Sequence, residues 1–95
     1  MVYSMYTIKK YSYERAKKLG VEIRPSTRRN KKIDVYKKGK RIASVGALGY
    51  GDYPTFMQTE GQQSANNHRK RYKIRHAKDR SVKGTPGYYA DQILW

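Results

Sequence analysis

The feature that most limits what this chain can fold into is a shortage of aliphatic residues beside a large excess of positive charge. Leu, Ile, Val and Phe supply 15 of 95 residues, while 22 Lys and Arg face seven Asp and Glu, for a net charge of +15. That combination lies in the range of chains that bury too little apolar surface to fold. Ten Tyr and one Trp act in the opposite direction. Each carries large apolar area with a polar handle, and together they can build a small, partly wet core. One domain is expected, burying about 60–65% of the surface its unfolded chain exposes.

Several classes are excluded by what is missing. No apolar run approaches the length of a membrane span. The N-terminal MVYSMYTIKK lacks the apolar stretch of a secretory signal. Without Cys there is no disulfide framework, zinc ribbon or thiol chemistry.

The bases come in clusters and the acids singly, so no stretch forms a neutral lobe. We expect an N-terminal arm with a short helix over 1–23 and a small basic α+β domain over 24–95, in which a small antiparallel hairpin or sheet is followed by two or three helices. Val2–Ile8 is rich in Val, Tyr, Thr and Ile and reads as a strand or an arm. Ser12 is the expected N-cap of a helix over Tyr13–Leu19, with Gly20 just past its end. Ile33, Val35 and Ile42 alternate around Lys37-Lys38-Gly39-Lys40, which predicts a hairpin of Lys32–Lys37 and Arg41–Val45 with Gly39 at the positive-φ position. GALGYGDY reads as a turning loop, since GxxGxG departs from the dinucleotide fingerprint. Asp52 is placed to cap a turn starting near Pro54. Gln62–His76 lacks Gly and Pro and puts Ala65, Arg69, Tyr72 and His76 on one helical face. Asp79–Gly84 reads as a loop. Thr85-Pro86 is an N-cap and N1 pair that opens a last helix through Leu94.

Catalytic constellations are sparse. No GxSxG or local triad signature is present. His68 and His76 are surrounded by cations that would repel a metal ion, so a His stacked on Tyr or bonded to a loop carbonyl is the expected role. Asp34, Asp52, Asp79 and Asp91 lack the spacing of a carboxylate pair that holds Mg²⁺ for phosphodiester cleavage, which leaves a small metal-dependent nuclease as a remote alternative. No cofactor is expected. The strongest signal is the interleaving of bases with aromatic residues, because cations neutralise phosphates and rings offer stacking platforms. The candidate polyanion-binding residues are Arg28, Arg29, Lys31, Lys32, Lys37, Lys38, Lys40, Arg41, Arg69, Lys70, Arg71 and Lys73. No RNA-recognition, zinc-finger or zipper signature is present, so sequence-specific readout has no support.

The succession DVYKKGKRIASVG, GYGDYPTF, RKRYKIRH and TPGYYADQILW resembles a group of small basic proteins of unassigned function encoded by nucleocytoplasmic large DNA viruses of algae and amoebae. The matching positions are Arg24–Arg29, Gly46, Asp52-Tyr53, Arg75-His76, Gly87 and Leu94-Trp95, so the resemblance covers roughly 24–95. Scaffold roles are expected for them. Asp52 caps the following turn or pairs with Arg75, and Leu94 and Trp95 close the core against Tyr53, Tyr72 and the hairpin. The resemblance implies a non-enzymatic, minor virion or capsid-associated component, in the particle or in the host cytoplasm or nucleus. Its partner would be packaged DNA or an acidic capsid protein. A non-virion, sequence-nonspecific nucleic-acid-binding protein is the alternative.

Overall fold

The computed structural model describes residues 6–95, and the expected strand over Val2–Ile8 lies partly outside them. Within them Tyr6–Lys9 forms no regular strand, although Ile8 is buried in the core. The elements run α1 (Lys10–Leu19), β1 (Glu22–Pro25), β2 (Lys31–Lys37), β3 (Lys40–Ala47), α2 (Tyr53–Glu60), α3 (Gln62–Arg75), a 3-10 turn (Asp79–Ser81) and α4 (Pro86–Leu94). The class is α+β. The three strands form one antiparallel sheet in the order β1-β2-β3.

The hairpin forms where the sequence places it, with β2 starting one residue earlier than expected and β3 extended by one residue at the tip and two at its far end. Lys37 pairs with Lys40, so the turn is Lys38-Gly39, and both residues have positive φ. Two such residues make the mirror-image turn whose twist matches that of the flanking strands. Ile42 was expected to face inward, and it does not. Val35 pairs with Ala43 but Tyr36 pairs with Arg41, so β3 carries one extra residue there. This bulge reverses the phase of the pleat. Ile42 is left exposed, and Ala43 and Val45 join Ile33 and Val35 in the core.

Lys32 to Val35 are buried without interruption, so β2 is covered on both faces. One face carries Ile33 and Val35. The other carries Lys32 and Asp34, and an interior pleat exposes neither to water. Gly46, opposite Lys32, has φ 78°; a Cβ there would lie 2.7 Å from Leu94 Cδ1 and 2.9 Å from Lys32 Cδ. Only glycine lets α4 approach β3 so closely.

The arm was expected to end at residue 23. β1 runs across it, and Ile8, Ala16 and Val21 share one core with Ile33, Ile93 and Trp95. Ser12 does not cap α1, which begins earlier with Lys9 at its N-cap. Instead Ser12 is buried and donates to the Ile93 carbonyl at 2.9 Å, while Arg15 Nε donates to the Gln92 carbonyl at 2.6 Å. The last carbonyls of a helix lack partners within it. Here the first helix supplies partners for two of those of the last. Asp52 and Thr85 cap α2 and α4 as the sequence implies, accepting from the Thr55 and Tyr88 amides.

Candidate nucleic-acid interface

Every acid in the chain has a basic group within 4.0 Å, and three of these acids are buried: Asp34, Asp52 and Asp91. Asp52 accepts from Lys32 Nζ at 2.8 Å, from Tyr6 Oη at 2.7 Å and from the Thr55 amide at 2.9 Å. Asp34 accepts from Ser26 Oγ at 2.6 Å and Ser44 Oγ at 2.7 Å, with Arg41 3.9 Å away. Asp91 holds Lys73 at 2.6 Å and Arg80 at 4.0 Å. Burial pushes the Asp34 and Asp52 carboxyls up, but their hydrogen bonds and neighbouring cations outweigh it and hold both below the ordinary carboxylate range. Burial, followed by the hydrogen bond and charge of Asp52, pushes the Tyr6 phenol well above its usual value.

A carboxyl depressed in the folded state stabilises above its unfolded pKa, about 4, and that contribution is lost as pH falls through the folded value. The thermal midpoint should be nearly flat down to about pH 5 and fall steeply below about pH 4, with part of that slope removed in Asp34→Asn. Circular dichroism against pH tests this, and an unchanged midpoint from neutrality to strong acid would refute it.

These pairs correct the sequence-based set of binding residues. Lys32 is buried and committed to Asp52, so it is not available to a partner. Lys73 is half-buried on Asp91. Asp52 pairs with Lys32 rather than with Arg75. Arg69 is half-buried, its guanidinium 3.9 Å from the centre of the Tyr53 ring. Of the remaining candidates Lys70 and Arg71 lie exposed on α3, and the others divide between the two ends of the sheet. Lys37, Lys38 and Lys40 lie exposed at the hairpin tip, with Arg41 beside them near Asp34. Arg28, Arg29 and Lys31 lie at the opposite end, about 20 Å away at strand rise.

The second end opens onto a groove of about 670 Å³ between β3, α3 and α4. α3 lines it with His68, Arg71, Tyr72, Arg75 and His76, spaced i, i+3, i+4, i+7 and i+8. Along its floor runs a continuous column of rings. His68 stacks on Phe56 at 3.7 Å, Phe56 meets Trp95 at 6.1 Å, Trp95 stacks on Tyr72 at 4.4 Å, and Tyr72 stacks on His76 at 4.4 Å. The expected role of histidine as a ring stacked on tyrosine is what His76 adopts. Burial first, then the charges of Asp91 and Asp79, push the Tyr72 phenol up to about 12, so its hydroxyl stays neutral. His68 Nδ1 lies 3.1 Å from Arg71 and Nε2 lies 2.9 Å from Glu60. Arginine can only donate, so in this arrangement Nδ1 accepts and Nε2 carries the proton toward Glu60. Lys31, Arg71 and Arg75 stand at the groove as cations.

Arg75, His68 and His76 were not among the candidates chosen from sequence. Their helical spacing around Tyr72 was the signal that would have found them. The four aspartates weighed for a nuclease are held apart in separate ion pairs. Among the described residues no group of three or more metal-ligating side chains comes together, and no helix is long and apolar enough to cross a membrane. No protein-family model matches the chain, and neither a curated protein nor a solved structure matches it significantly.

Proposed function

We propose that this protein is a non-enzymatic, sequence-nonspecific binder of nucleic acid. The resemblance to proteins of large DNA viruses suggests a virion-associated setting, with packaged DNA as the polyanion. The observation that carries the reading is the pairing of acids. Setting aside Lys32–Asp52, Arg41–Asp34 and Lys73–Asp91 leaves 19 of the 22 Lys and Arg against four of the seven acids. Those four acids already have basic neighbours of their own. The surplus charge is therefore at the surface, where self-repulsion favours a neutralising partner.

Salt dependence is the direct test. If Arg28, Arg29, Lys31, Lys70, Arg71 and Arg75 each neutralise one phosphate, log K for duplex DNA should fall against log salt with a slope of about −5. Unrelated duplexes should bind within about tenfold of one another, because phosphate contacts carry no base information. A slope near zero would refute the proposal. Tight, salt-sensitive binding to an acidic protein with none to DNA would replace nucleic acid by a protein partner.

A further inference from the structure

The groove is more than a basic surface. A site for phosphate alone needs converging donors and has no use for an apolar floor. This one has a floor of stacked rings, with cations at Lys31, Arg71 and Arg75. Its volume lies within the range of small-ligand sites. The ring column is sealed within itself along most of its length: Tyr72 and Trp95 are buried against each other. At one end, however, the His76 side chain is 41% exposed. On the β3–α2 wall Tyr50 is 75% exposed, the most open of the large hydrophobic and aromatic side chains among the described residues. Open aromatic faces beside cations that hold no carboxylate among the described residues are the recognition chemistry of an unstacked base and its phosphates.

We propose that the groove takes one unpaired base of a single-stranded nucleic acid. The base extends the ring column beyond His76 with Tyr50 on the neighbouring wall, and the flanking phosphates lie on Arg71, Arg75 and Lys31. This rests on the nucleic-acid reading above and deepens it. Duplex DNA offers no free base, so it engages the cations and leaves the groove unfilled. An acidic peptide would satisfy the cations equally but has no flat π face for the column.

The chain reports on the site, because its one Trp is Trp95 in the groove floor. Titration would compare a short oligodeoxyadenylate with an abasic strand of the same length, at one salt concentration. The adenylate strand should bind about tenfold or more tightly than the abasic strand, with a change in Trp95 emission that the abasic strand does not produce. Tyr50→Ala, at an exposed loop position, should reduce that preference to under about threefold. Ala47→Phe, at an exposed position lining the groove, should remove it by filling the space. Equal affinity for the two strands would overturn the proposal while leaving polyanion binding in place, whereas failure of both strands to bind would overturn this and the broader reading together. An oligoglutamate that shifts Trp95 emission as strongly as the adenylate strand would also overturn it, in favour of an acidic protein segment.

Discussion

Replacing Asp52 by Ala is expected to lower the unfolding free energy by about 4 kcal/mol, the range for removing one partner of a buried ion pair. The Lys32 and Asp52 side chains are 4% and 0% exposed, so the ammonium left behind has little access to water. The same substitution removes the cap of α2, an effect of about 1 kcal/mol, and the acceptor of the Tyr6 hydroxyl. Small domains are stable by only about 5–15 kcal/mol, so most of this protein's margin would go. Asp52→Asn keeps an oxygen for the Thr55 amide and should be milder. Adding Lys32→Met to Asp52→Asn should recover at least half of the loss, because no buried ammonium deprived of its carboxylate then remains. Urea unfolding of the three variants measures this. A loss under about 1 kcal/mol for Asp52→Ala would mean that water reaches the pair and that it is worth no more than a surface one.

Trp95→Ala is expected to cost about 3–4 kcal/mol, as for other large aromatic truncations in cores. The indole stacks on Tyr72 within 9° of parallel and meets Phe56, and its residue is the C-cap of α4. Its removal therefore separates α4 from both α2 and α3 at one point. The urea midpoint should fall with little change in slope, since the surface exposed on unfolding is nearly the same. Trp95→Phe should retain more than half of the stability lost in the alanine variant. A midpoint unchanged by Trp95→Ala would show that the core closes without this ring.

Much of the fold was legible because the local signals are strong. Lys38-Gly39, Asp52 before Tyr53-Pro54, the uninterrupted run from Gln62 and the Thr85-Pro86 pair each have a local physical meaning that tertiary packing did not override. Ser12 shows the limit. A serine near a helix start reads as a cap, and nothing local reveals that its hydroxyl serves a carbonyl 81 residues away. Ile42 failed for a related reason, because a bulge is a property of two strands and not of one.

The candidate site was harder to read for a more general reason. Lys31 and Lys32 look alike in a run of bases and both border the groove, yet the pleat sends them to opposite faces, and only Lys32 is buried on Asp52. Lys70, Arg71, Lys73 and Arg75 divide in the same way around α3. Charge clusters in sequence show that a surface is basic. Which bases are spent internally depends on where three isolated aspartates come to rest.

The confinement of each acid beside a base of its own chain bears on how copies of this protein meet. Each Asp and Glu among the described residues already has a base of its own chain within 4.0 Å and the net charge is +15, so two copies in solution experience repulsion over a distance set by the ionic atmosphere. A shared polymer of opposite charge, such as the nucleic acid proposed above, would bring them side by side. Packing along such a polymer would then stop when its charge is matched, and stoichiometry would follow from counting charges rather than from any contact between neighbours.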